Sequence, residues 1–199
     1  RNNAVSAFII GFNRCGTRTL HYFFQQNGLR CIHWDQDHLA QTMEDNCKAG
    51  LPLLQGGRTH HTLVNDDCFY EDAHVLSDLT LHKMNRDAKD YYQQLDIDYP
   101  GSKFILNVRD VDSWIDSRVR HNNGRISKIL QKYHQCGEVE LKQIWRDMWE
   151  TATREIVEYF RDRPDDLLVY DIENDPIESV CTFLDGHFQL DVSKYEVIR

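Results

Sequence analysis

Apolar and polar residues fall into blocks whose lengths separate strands from helices. The run Val5 to Ile10, apolar but for Ser6, is short and reads as a fully buried strand of the central, parallel kind. It ends at Gly11, a short loop follows, and Gly16-Thr17 opens an amphipathic run to Asn27. Leu20, Phe23, Phe24 and Asn27 share one side of that predicted helix, and Gly28 suits its C-terminal cap. A second short strand is expected over Leu29 to Trp34. Asp35 or Asp37 is then placed to cap a helix from Asp37 to Ala49, with Leu39, Met43 and Cys47 as its buried stripe and Gly50 and Pro52 as its stop. Leu53 to Tyr70 shows no period. Gly56-Gly57 and the solvated pair His60-His61 mark it as a loop, with mobility near a substrate as one reading.

Val75 to Leu79 predicts another short strand, with Asp78 near the edge of the sheet. A helix is expected from Asn85 to Leu95, presenting Ala88, Tyr91, Tyr92 and Leu95. The Tyr99-Pro100-Gly101 turn then feeds a clear strand, Lys103 to Val108. Asp112 to Arg120 is helical and is closed by Asn122-Asn123-Gly124. The longest helix, Glu138 to Arg161, carries Leu141, Trp145, Met148, Ala152, Ile156 and Phe160 at helical spacing. After Pro164, Leu167 to Tyr170 reads as a last buried strand, and Asp175-Pro176 starts a helix through Leu184. Strands alternating with helices predict an α/β fold of three layers, with a mainly parallel central sheet flanked by helices. No repeat or long linker interrupts it, so residues 1–199 are expected to form a single domain.

Composition narrows the function. The chain has 199 residues, 41% hydrophobic, with 32 acidic against 23 basic side chains and a formal charge of -9. Such a balance argues against a general nucleic-acid binder or a binder of anionic membranes. No stretch approaches the roughly 20 apolar residues of a membrane span. A cytoplasmic location is expected. Because the chain begins with Arg1, the alternative is an upstream targeting or anchor segment that has been trimmed. The six cysteines are spread singly, so free thiols in a reducing compartment are expected, and no His or Cys spacing predicts a metal.

Against that acidic background, the loop after the first strand is built for an anion. Gly11 and Gly16 permit close backbone approach. The first amides of the following helix lack intrahelical partners and carry the positive end of its dipole. Arg14, Arg18, Thr17 and Thr19 add donors suited to phosphate or sulfate. Gly11 and Gly16 have the separation of the nucleotide loop Gly-x-x-x-x-Gly-Lys-Ser/Thr, but Thr17 stands where the lysine belongs and Arg18 where the hydroxyl belongs.

The run Arg14-Cys15-Gly16-Thr17-Arg18 instead resembles the 5′-phosphosulfate loop of sulfotransferases, which reads Lys-x-Gly-Thr-Thr or Lys-x-Gly-Thr-Arg. A second element agrees. Arg109 follows the strand Lys103 to Val108, and Ser117 lies eight residues on, resembling the Arg…Ser pair with which sulfotransferases hold a 3′-phosphate. Leu167 to Glu173, Asp175-Pro176 and Phe183-Leu184 are a weaker likeness. The resemblance is nearest to compact bacterial-type or carbohydrate-type members, and the glycine-rich C-terminal cofactor segment of cytosolic members is not recognisable.

This resemblance implies a P-loop-like sulfotransferase fold and transfer of a sulfuryl group from 3′-phosphoadenylyl sulfate (PAPS) to a hydroxyl or amine of a small-molecule or carbohydrate acceptor. The product nucleotide would be adenosine 3′,5′-bisphosphate (PAP), and no metal is expected. Arg14, Cys15, Gly16, Thr17, Arg18 and Thr19 would hold the 5′-phosphate, and Arg109 and Ser117 the 3′-phosphate. Arg14 replaces the usual lysine that stabilises the leaving oxygen. His33 or Asp35 would serve as the base, with Asp78 a third candidate. The alternatives are a P-loop-type nucleotide kinase and a non-catalytic module that binds PAP or another anion.

Overall fold

The computed structural model describes residues 6–81 and 86–198, so Val5 of the first expected strand and Asn85 of the expected third helix lie outside the described residues. In chain order the regular elements are β1 (Ala7–Ile9), α1 (Thr17–Gln26), β2 (Cys31–His33), α2 (His38–Ala49), β3 (Val75–Ser77), α3 (Tyr92–Asp98), β4 (Lys103–Val108), α4 (Val111–Arg120), α5 (Arg125–His134), α6 (Glu138–Tyr159), β5 (Leu167–Asp171) and α7 (Glu178–Leu184). By its contacts the chain groups into two compact units, Arg1–Val108 with Arg163–Arg199, and Arg109–Asp162.

The first unit holds a parallel sheet in the order β2-β3-β1-β4-β5. The fold is α/β, as the alternating pattern predicts. β1 is central and wholly buried, which explains its continuous apolar run. Ala7 and Ile9 face a cluster formed with Leu20, Phe23 and Phe24 of α1 and Val180 and Leu184 of α7. Phe8 points the other way, its ring stacked on Phe104 at 5.4 Å and 6.0 Å from Tyr99. Each such buried Val, Leu, Ile or Phe side chain contributes about 1.5–3 kcal/mol. Because all strands run in parallel, their carboxyl ends share one edge of the sheet.

Several expectations are corrected here. β5 is an edge strand in which only Tyr170 is buried and Val169 is 42% exposed, so it is not a buried strand. Cys47 is exposed because α2 is leaving the core in its last turn. Neither Asp35 nor Asp37 caps α2 with its side chain. The third helix begins later, as a single 3-10 turn over Ala88–Asp90 with a capping box at Asp87, then α3. Residues 53–70 form the expected loop, which carries a bridge between Arg58 and Phe69.

In the second unit, the Asp110 carboxylate accepts the Ser113 amide at 2.8 Å and starts α4. Gly124 does not simply close that helix. It takes φ 75° and opens α5, which the sequence pattern did not predict. Leu141, Trp145 and Trp149 of α6 are buried, with Trp149 taking the place expected of the half-buried Met148. The Arg118 guanidinium lies over the rings of Trp114 and Trp145 at 4.9 and 4.6 Å, an arrangement that lets a 9% exposed cation stay charged. Among the described residues, no helix is long and apolar enough to cross a membrane.

Candidate active site

The loop between β1 and α1 is shaped by backbone demands first. Arg14 takes φ 70° and Gly16 takes φ 74°, which turn the chain sharply into α1. A Cβ at Gly16 would press on Ile172 at 3.1 Å. At Gly11 a Cβ would lie 2.1 Å from the Asn107 carbonyl oxygen, so only glycine fits. The Asn107 side chain then ties the loop at both ends, accepting the Gly11 amide at 2.9 Å and donating to the Cys15 carbonyl at 2.6 Å. Asn107 is fully buried on β4.

No side chain caps α1. Its first amides therefore remain directed at whatever lies over the loop, where the helix dipole favours a negative charge. Thr17 is buried, and Arg14 and Arg18 are exposed. The Cys15 thiol is buried, so the residue offers the loop its backbone rather than a reactive sulfur. The Thr19 hydroxyl is engaged elsewhere. It accepts the Ile198 amide at 3.2 Å and lies 3.5 Å from the Ile198 carbonyl oxygen.

At the same edge of the sheet, β2 and β3 deliver His33 and Asp78. His33 Nδ1 is 3.1 Å from Ser77 Oγ, and its Nε2 is 3.9 Å from Asp78 Oδ2. Burial holds the imidazole below its ordinary pKa, opposed by the Asp78 charge and reinforced by Arg18. His21 on α1 packs 5.5 Å from the His33 ring and donates from Nε2 to the Val64 carbonyl at 2.8 Å; burial lowers its pKa to about 4.

Beyond His33 the chain makes an unusual turn. Trp34, Asp35, Gln36 and Asp37 all have positive φ, at 56°, 52°, 55° and 69°. Left-handed backbone costs roughly 1–2 kcal/mol per ordinary residue, so the surroundings must hold it. They do so through Asp35, which is 1% exposed. Its carboxylate accepts the amides of His60 and His61, the Tyr70 hydroxyl at 2.7 Å and the Asn65 side chain. Asn65 also grips the His33 backbone, accepting its amide at 2.8 Å. Asp35 is thus the anchor of the 59–65 loop. Its lone pairs are occupied, whereas the His33 Nε2 edge faces Asp78.

Arg109 and Ser117 belong to the second unit, where Arg109 directly precedes the Asp110 cap and both residues are half-buried. Sequence reasoning missed Asn107 and Ser77. A polar residue inside an otherwise apolar strand, as in Phe104-Ile105-Leu106-Asn107-Val108, was the available signal for the first.

Comparison with known proteins identifies the family and the fold. Residues 7–163 match the family described as the sulfotransferase domain. Among solved structures, the chain is similar to a sulfotransferase from Alicyclobacillus acidocaldarius, at 16% identity and a TM-score of 0.52, over 95% of this chain and 85% of that one. That likeness shows a shared fold. No curated protein matches.

Proposed function

Starting from the chain's membership of the sulfotransferase family, we propose that it transfers a sulfuryl group from PAPS to a hydroxyl or amine of a small-molecule or carbohydrate acceptor. The observation that carries this reading is the uncapped α1 behind a loop tied by Asn107, at the carboxyl end of the central strand. Open parallel sheets bind ligands at that edge. The donor chemistry of the loop fits a phosphosulfate: backbone amides from Cys15 to Thr19, the Thr17 hydroxyl, and the charges of Arg14 and Arg18. Arg109 and Ser117 would take the 3′-phosphate.

When bound, PAPS supplies an activated bridging S–O bond. The acceptor oxygen or nitrogen forms its bond to sulfur as that bridge breaks, the bridging pair stays on the 5′-phosphate, and the acceptor proton passes to His33. Arg14 offsets the charge on the leaving phosphate. It contributes electrostatically, since a guanidinium does not give up a proton near neutral pH. His33 is favoured over Asp35 because the Asp35 carboxylate already accepts four donors. Arg14 in place of lysine also supports a second reading, a module that binds PAP without turnover.

Calorimetric titration with PAP, and with ATP plus magnesium, on wild type beside Arg109→Ala tests the assignment. Tight PAP binding, weak ATP binding and a loss of at least tenfold on substitution are expected. ATP preference, or an unchanged Arg109→Ala, overturns the 3′-phosphate site. Turnover of PAPS with any acceptor excludes the binding-module reading.

A further inference from the structure

We propose that Ser77 and Asp78 are positioning residues for His33: Ser77 keeps the ring proton on Nδ1, and Asp78 faces the bare Nε2 and receives the charge when that nitrogen is protonated. The proposal rests on His33 as the base.

Hydrogen-bond counting assigns the tautomer. Ser77 Oγ lies 3.1 Å from His33 Nδ1 and within 3.4 Å of the Ile32 carbonyl. A hydroxyl has one proton and a carbonyl only accepts. Both contacts are satisfied together only if the Ser77 proton goes to Ile32 and the Nδ1 proton goes to Ser77. The opposite tautomer satisfies one of the two, and its Nε2 proton would point at an Asp78 oxygen 3.9 Å away, beyond hydrogen-bond reach. Ser77 is 1% exposed and sits on β3, whose register sets Ser77 beside His33. The tautomer is therefore imposed by the sheet.

The gap between Nε2 and Asp78 Oδ2 is then flanked by two lone-pair groups. A donor lying alongside both atoms, such as an acceptor O–H or N–H, meets the basic nitrogen. Once the proton has moved, an imidazolium faces a carboxylate, which stabilises the charge. The Asp78 carboxylate is itself oriented, because Thr80 Oγ donates to its other oxygen at 2.6 Å. Among the described residues, Arg18 of α1 opposes a charge on His33 and Asp78 favours it, while His21, 5.5 Å from the His33 ring, is itself held below its ordinary pKa, chiefly by burial.

Long-range proton–nitrogen spectra of histidine-labelled protein at pH 7.5 test this directly, with His33→Gln identifying the His33 signals. The expected wild-type pattern is the Nδ1–H tautomer, and Ser77→Ala is expected to shift it toward Nε2–H. An Nε2–H pattern in wild type overturns the proposal even if Ser77→Ala does not fold, as does an unchanged pattern in a folded Ser77→Ala. Asp78→Asn is expected to move the His33 titration to lower pH and to cut kcat about tenfold while PAP affinity holds; an unmoved titration removes Asp78 from the proposal. Full turnover by His33→Gln overturns the base assignment instead, and the spectra distinguish that failure from a wrong tautomer.

Discussion

Gly11 and Asn107 stand 96 positions apart in the chain, and the Asn107 side chain accepts the Gly11 amide at 2.9 Å while a Cβ on Gly11 would collide with the Asn107 carbonyl at 2.1 Å. The same amide group donates to the Cys15 carbonyl, so one buried carboxamide sets the span of the anion loop. Gly11→Ala is expected to lose about 2–4 kcal/mol, as overpacking against backbone does. Asn107→Leu would strand two buried backbone groups, at about 1–3 kcal/mol each. Asn107→Asp keeps the acceptor, loses the donor and adds a negative charge beneath the loop, so PAP affinity should fall at least tenfold. Urea unfolding and calorimetry check all three; wild-type stability in Gly11→Ala would show that the loop has room the geometry denies.

Asp35 predicts a different kind of damage. Its carboxylate holds two loop amides and the Tyr70 hydroxyl in a buried site. Asp35→Ala is expected to cost about 3 kcal/mol or more, since hydrogen bonds to a charged group contribute about 1.5–3 kcal/mol. Hydrogen exchange should speed at the His60 and His61 amides before the sheet amides respond. Equal protection of those two amides in the variant would remove Asp35 as the anchor.

How far the sequence reveals this site depends on the range of the interaction. β4 was legible because an apolar run followed the Tyr99-Pro100-Gly101 turn, and the Gly11 to Thr19 loop because its chemistry is local. α5 was missed because Gly124 serves as both the end of one turn and the start of the next helix. Asp35 looked like a helix cap, since an Asp a few residues before a helix usually is one. Its real partners come from residues 60, 61, 65 and 70, and no local pattern encodes them. The left-handed turn at Trp34–Asp37 is invisible for the same reason: none of its residues is a glycine, and the Asp35 hydrogen bonds that hold it reach residues far along the chain.

Acid should destabilise the protein before its carboxylates titrate. His21 is 1% exposed and its pKa falls to about 4 in the fold, against 6.5 when unfolded. Below pH 6.5 the unfolded chain takes up a proton that the folded chain refuses, so stability drops as pH falls from 6.5 to about 4 and then levels off for this group. A shift of that size corresponds to about 3 kcal/mol. His33, also lowered by burial, adds in the same direction. The urea midpoint of His21→Gln should depend less on pH across that window than wild type. Parallel curves would place the acid sensitivity elsewhere.

Thiol chemistry reads the same packing independently. Cys47 is exposed, Cys136 and Cys181 are half-buried, and Cys15, Cys31 and Cys68 are buried. Burial also raises the Cys68 thiol to about 11 and pushes Cys31 higher still, so neither offers thiolate at neutral pH. A disulfide reagent at pH 8 should give one fast phase, lost in Cys47→Ser, then slower reaction at Cys136 and Cys181. The other three should react only at the rate of unfolding. Fast reaction at Cys15 would mean that the loop opens in solution.

The departure at position 14 yields the last prediction. Arg14 is exposed and holds φ 70°, so its side chain is not committed to the core. Arginine spreads its charge over a planar fork, whereas a lysine ammonium is a compact charge able to sit on one bridging oxygen. If the role is to offset charge that develops only as the bridge breaks, the effect belongs in kcat rather than in PAP affinity. Arg14→Ala should lower kcat about a hundredfold, in line with loss of one electrostatic donor, with PAP binding changed less than tenfold. Arg14→Lys should retain or raise kcat. A large loss of PAP affinity in Arg14→Ala with kcat unchanged would assign Arg14 to ground-state binding alone, and the charge on the leaving phosphate would then fall to the α1 amides and Arg18.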